Sequence, residues 1–157
     1  MRKLLKKSKI GSSGSTLIEM LVVMVIISIT VAFAAPNFDK IIGAYQLDIS
    51  AREMASDIRD LQQTALKTQN AGLAMEWHTG LEEYYLKNEN IVSKTVRLPN
   101  GIDIDRTNFD ANKMFIGKNG RPSSAGTVFL KDRTTGKYKY VIINKLGRVR
   151  VSETPSE

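Results

Sequence analysis

Four groups of side chains have types and spacings that could do chemistry. Glu19 is an acid at the head of a run, Met20 to Phe38, that carries no charge. A carboxylate beside so much apolar surface is costly unless a cation meets it, so the position points to ion pairing. Arg148 and Arg150 stand two apart behind Gly147, which on an extended strand puts both on one face. Two cations so placed, with Lys145 in the preceding turn, could meet successive phosphates without reading bases. Asp103, Asp105 and Asp110 offer carboxylate oxygens of the kind calcium takes. His78 is the single histidine, and there is no cysteine. Disulfides, thiolate metal sites, a cysteine nucleophile and any centre needing two imidazoles are thereby excluded.

Most of this chemistry weakens on inspection. His78 has no serine or acid partner that a motif would identify, and beside Trp77 it reads as an edge residue. Gly117-Lys118-Asn119-Gly120 is not a phosphate-cradling Walker loop, because the lysine precedes the second glycine and no Ser/Thr follows in register. Asp103 and Asp105 alternate with Ile102 and Ile104, as the wet face of a strand does, and no loop of convergent oxygens is evident. The expectation is a protein with no catalytic centre, no metal and no cofactor.

The elements that must position the remaining candidates follow from charge and hydropathy. The chain has 157 residues and a net charge of +7, unevenly spread. Residues 1–14 hold Arg2, Lys3, Lys6, Lys7 and Lys9 and no acid. Residues 111–151 hold ten basic side chains against one acid, Asp132. Such asymmetry points to a nucleic-acid or membrane contact, against the plainer reading of a solvated sheet face. Ser15 to Ala35 is 21 residues, which at about 1.5 Å each covers roughly a bilayer's hydrocarbon core. Basic residues before it and Asp39 after it predict a cytoplasmic N-terminus and an exported remainder. A secretory signal cut at Ala32-Phe33-Ala34 is the competing reading, but the apolar stretch exceeds the usual h-region and Glu19 then has no purpose.

The stretch Gly14-Ser15-Thr16-Leu17-Ile18-Glu19-Met20-Leu21-Val22-Val23 resembles the type IV prepilin signal. The resemblance implies that a membrane peptidase cuts between Gly14 and Ser15 on the cytoplasmic side and N-methylates Ser15. It also implies that Glu19, the fifth mature residue, pairs with the terminal ammonium of a neighbouring subunit during assembly. Ser15 departs from the family's usual phenylalanine at the first mature position. Pro36 falls where pilins commonly carry a helix-kinking proline, and it equally marks a membrane exit.

After Asp39 the pattern becomes amphipathic. Leu47, Ala51, Met54, Ile58, Leu61 and Ala65 recur at spacings of four and three, one face of a helix running to about Gln69. Arg52, Glu53, Asp57, Arg59, Asp60 and Gln62 fall on other faces and read as solvated. Gly43 inside this helix is a mild weakness or a close packing point. Eight strands follow, at Leu73–His78, Leu81–Lys87, Ile91–Leu98, Ile102–Ile104, Lys113–Ile116, Thr127–Lys131, Tyr138–Ile143 and Val149–Val151, separated by Gly, Asn and Pro turn signals. They must cover the helix stripe. The predicted fold class is α+β: a long N-terminal helix, transmembrane in its first half, packed on a C-terminal antiparallel β-sandwich-like domain. The expected organisation is a leader over 1–14, an assembly helix over 15–36, its amphipathic continuation over 37–70, a β-rich domain over 71–151 and a polar tail over 152–157.

Three C-terminal segments, Phe115–Gly120, Gly126–Leu130 and Tyr140–Arg150, look like the corresponding half of the FimT/GspH minor pilin family. The resemblance implies a structural subunit of a type IV pilus or type II secretion pseudopilus, anchored in the cytoplasmic membrane with its β domain outside. Its implied partners are other pilin or pseudopilin subunits, the prepilin peptidase and methyltransferase, a membrane assembly platform and lipid. Some members involved in natural transformation carry a terminal Gly-Arg-x-Arg that contacts DNA, and Gly147-Arg148-Val149-Arg150 resembles it. A DNA-binding minor pilin acting in DNA uptake is therefore the alternative.

Overall fold

The computed structural model describes residues 16–155, with the side chains of 34–38 outside the described set. The chain divides into two compact units, Met1–Asn37 and Phe38–Glu157. Helical backbone α1 (Leu17–Thr68) contributes to both.

In the first unit every described side chain from Leu17 to Phe33 is exposed, although nearly all are apolar. Among the described residues nothing within the unit covers this surface. The two hydroxyls among them are turned inward on the helix's own backbone. Ser28 Oγ donates to the Met24 carbonyl at 2.7 Å, and Thr30 Oγ1 to those of Ile27 (2.8 Å) and Ile26 (3.1 Å). Bonding of this kind leaves no hydroxyl in search of water, which is what an apolar surrounding requires. Among the described residues no helix is long and apolar enough to cross a membrane. The described apolar stretch stops at Phe33, so the span expected over 15–36 is not met by the described residues alone; the uncharged sequence continues to Phe38.

The second unit is built on the remainder of α1. Its buried stripe is Leu47, Ala51, Met54, Ala55, Ile58, Leu61 and Ala65, the 3.6-residue pattern of one helix face. Two four-stranded antiparallel sheets complete it. The first has the order β3 (Ile91–Arg97), β2 (Glu83–Asn88), β1 (Leu73–His78), β5 (Lys113–Ile116). The second has the order β4 (Ile102–Thr107), β6 (Gly126–Asp132), β7 (Tyr138–Ile143), β8 (Val149–Ser152). A short 3-10 turn, Asp110–Asn112, sits between β4 and β5. Alternate residues of both sheets join the helix stripe in one core that includes Met75, Trp77, Tyr84, Ile104, Met114, Leu130, Val141 and Ile143. Trp77 stacks on Phe109 with centroids 4.9 Å apart and planes 19° from parallel. Gly43 is a close packing point: a Cβ there would lie 2.8 Å from the carboxylate of buried Asp132.

The α+β class and all eight strands agree with expectation, and three differences have physical causes. The second strand starts at Glu83 and not Leu81, because Glu82 takes a left-handed φ of 54° and leaves Leu81 64% exposed in the turn. The fourth strand runs on to Thr107, past Ile104, with a register shift between Ile104 and Arg106. A bulge there inserts Asp105 and breaks the apolar alternation that would have marked the extension. The helix's polar faces are not all solvated. Asp57 is only 5% exposed, Arg59 reaches across to β8, and Gln62 reaches the turn that leads into it.

Candidate functional site

Thr16 precedes the first helical residue, and its Oγ1 accepts the Glu19 amide hydrogen at 3.3 Å. Thr16-x-x-Glu19 thus has the spacing of a capping box, and the acid sits in the first turn where the helix's free N–H groups favour negative charge. That bond uses the Glu19 main chain, and the carboxylate adds its favourable place in the first turn. Gly14 and Ser15, the expected cleavage and methylation positions, lie outside the described residues. Helical backbone is assigned through Pro36, but its side chain lies outside the described set, so the expected kink is not described either.

The C-terminal hairpin is defined in atomic detail. Asn144 opens the turn, its carbonyl accepting the Gly147 amide at 3.0 Å. Its side-chain oxygen accepts the amides of Leu146 (3.0 Å) and Arg148 (2.9 Å). Gly147 takes a φ of +89°, which L side chains seldom adopt, and a Cβ there would press on Gln62 at 2.9 Å. Val149 is buried while Arg148 and Arg150 are exposed on the opposite face, as the period-two reading requires. Lys145 is exposed in the turn. Arg148 and Arg150 line a shallow groove with Ile142 and Asn144.

The helix closes the outer edge of this sheet. β8 is an edge strand, and an edge strand leaves backbone groups unpaired. Arg59 donates to the Val149 carbonyl at 3.0 Å and Gln62 to the Gly147 carbonyl at 2.8 Å. The hairpin that carries the two arginines is therefore held by α1.

Not all of the basic block is free for a partner. Lys139 bridges Asp48 (3.0 Å) and Glu153 (2.9 Å), and Arg133 pairs with Asp103 and Glu82. Lys113 lies 3.9 Å from Glu76 on the other sheet. Asp103 is thus engaged by a cation, and Asp105 is exposed at the bulge. Among the described residues no group of three or more acids or histidines is placed to hold a metal ion.

His78 does have an acid neighbour that its sequence context did not reveal. Two residues apart on β1, Glu76 and His78 share the outer face of the first sheet, with Oε1 and Nε2 2.9 Å apart. Lys87 donates to the other oxygen of Glu76 at 2.6 Å. The Lys87 bond, aided by His78, holds the Glu76 carboxyl below its ordinary 4.5. A lowered carboxyl adds stability that is complete above pH 4.5 and is lost as pH falls through the folded-state value. Melting curves between pH 3 and 7 should show an acid-side loss that becomes smaller in Glu76→Gln.

Asp57 was the other signal hidden from periodicity. It accepts the Tyr84 hydroxyl at 2.9 Å and Lys94 at 2.7 Å, tying α1 to β2 and β3. Burial, with the Asp57 charge beside it, pushes the Tyr84 hydroxyl's pKa upward. Asp57→Ala would strand a buried hydroxyl and a half-exposed ammonium. The expected loss is about 2–3 kcal/mol, read as a shift in urea midpoint.

Residues 11–35 match the prokaryotic N-terminal methylation motif. The fold is similar to a solved structure of the minor pseudopilin EpsH from the type 2 secretion system of Vibrio cholerae, with a TM-score of 0.55 and 14% identity. The match covers 68% of this chain and 96% of that one. No curated protein matches the sequence. A prepilin-type N-terminal motif thus precedes a pseudopilin-like fold.

Proposed function

We propose that this chain is a minor pilin or pseudopilin, a structural subunit of a type IV pilus or type II secretion pseudopilus. In this reading it is made as a single-pass precursor with a cytoplasmic N-terminus and an exported β domain. The prepilin peptidase removes residues 1–14, Ser15 is methylated, and the apolar helix moves from lipid into contact with other subunits. A membrane platform drives that transfer. The observation that carries the proposal is the methylation motif on an exposed apolar helix whose two hydroxyls bond to their own backbone.

Mass spectrometry of the mature protein tests it. The expected N-terminus is N-methylated Ser15. A terminus at Ala35 would instead favour a secretory signal. Glu19→Ala is expected to spare cleavage and to reduce incorporation into sheared filaments, because the terminal ammonium of a neighbour then meets no carboxylate. Equal incorporation would remove the role assigned to Glu19.

A second reading, a DNA-binding minor pilin that acts in DNA uptake, is favoured by the shared exposed face of Arg148 and Arg150. It predicts a mobility shift with duplex DNA near 50 mM salt that weakens steeply as salt rises. The Arg148→Gln/Arg150→Gln double variant should abolish the shift.

A further inference from the structure

The outer face of the second sheet carries an array of rings and cations that the sequence motifs did not single out. Val128, Leu130, Val141, Ile143 and Val149 point into the core, so their alternates on β6, β7 and β8 point away from it. Phe129 and Tyr140 are register partners on that outer face, with centroids 5.3 Å apart and planes at 82°. Tyr138 lies two residues along β7 from Tyr140, its ring within 15° of parallel and 6.1 Å away. All three rings are half-buried, with no further element over them among the described residues.

Cations surround these rings. The Arg106 guanidinium sits 4.4 Å from the Phe129 centroid, and the Lys131 ammonium 5.6 Å from that of Tyr138. Arg150 pairs in register with Ile142, next to Tyr140 along β7, and Arg148 extends the row. Among the described residues none of these four cations forms an ion pair with a carboxylate. Asp103, the register partner of Lys131, is bridged by Arg133. The outer face of the first sheet is different, because its Lys87 and Arg97 are taken by Glu76 and Glu83.

We infer that the outer face of the β4-β6-β7-β8 sheet binds single-stranded nucleic acid, with bases on Tyr138, Tyr140 and Phe129 and phosphates on Arg106, Lys131, Arg148 and Arg150. The inference rests on the second reading above and deepens it by naming the form of the ligand. Rings beside unpaired cations fit a polymer that alternates a flat π face with a negative charge. Positions i and i+2 on a strand are about 6.6 Å apart, comparable to the step of an extended single strand. A duplex keeps its base faces stacked on one another and offers such rings nothing. Arg106 and Lys131 lie against the rings at the rim, where each can turn from its ring to a phosphate as a base arrives.

Fluorescence anisotropy on the full chain in detergent tests this, with a labelled oligothymidylate of about 12 nucleotides. The single strand should bind about tenfold or more tighter than a duplex of equal length. Tyr140→Leu should weaken it about tenfold, whereas Tyr140→Phe, which keeps the ring, should not. Arg106→Gln/Arg150→Gln should flatten the salt slope by about 1.4, two phosphates' worth, without touching the rings. Equal affinity for duplex, indifference to Tyr140→Leu in a chain with unchanged circular dichroism, or equal competition by inorganic polyphosphate would overturn the inference. Duplex binding that needs Arg148 and Arg150 but no ring would keep the second reading and remove only the platform. Binding of neither form near 50 mM salt would remove both.

Discussion

Replacing Trp77 with alanine is expected to destabilise the β domain by about 3–5 kcal/mol, a large share of the roughly 5–15 kcal/mol by which an ordinary domain is stable. Trp77 is 1% exposed and is among the largest fully buried side chains. It points from β1 into the space shared by both sheets and the helix stripe, with Phe109 stacked on it. The side chains around so large a vacancy relax only in part, so the loss combines burial with a cavity. The indole Nε1 has no acceptor among the described residues. Trp77→Phe gives up that unpaired N–H together with some volume and should cost much less, within about 1.5 kcal/mol. Circular dichroism during urea unfolding separates the two variants, since the tryptophan signal goes with the residue. A loss under about 1 kcal/mol for Trp77→Ala would contradict the core described above.

The other large effect concerns processing and is close to all-or-none. A bulky residue in place of Gly14 is expected to leave residues 1–14 attached, read directly as the mass of the protein recovered from membranes. The retained segment keeps Arg2, Lys3, Lys6, Lys7 and Lys9 next to a helix start that already carries partial positive charge. It also removes the free ammonium that Glu19 is proposed to meet. Filament incorporation should therefore fall with cleavage, and Glu19→Ala should add nothing to the defect. Normal incorporation of the uncleaved chain would separate assembly from processing and overturn the proposal.

Much of this fold is legible in the sequence because alternation and turn chemistry agree. β1, β5 and β7 begin and end where period-two runs meet Gly, Asn or Pro signals. The helix stripe is read correctly because apolar spacing reports burial directly. What stays hidden involves partners distant in the chain. Asp57 reads as a solvated acid until Tyr84 and Lys94 are brought to it, 27 and 37 residues away. Arg59 and Gln62 look like ordinary surface residues until β8 and the turn before it present the carbonyls of Val149 and Gly147. The ring array needs the register of β6 against β7, which neither strand specifies alone. Arg148 and Arg150 were legible for the opposite reason, since a single strand suffices to align them.

Between Met20 and Phe33, Ser28 and Thr30 give the N-terminal helix a self-contained polar inventory. A rod that asks no hydrogen bond of its surroundings can exchange fatty chains for protein neighbours, or the reverse, without forfeiting one. Relocation between two oily environments is then nearly neutral along most of the segment. The direction of travel can be set at its tip, by whichever surroundings offer Glu19 a positive counterpart.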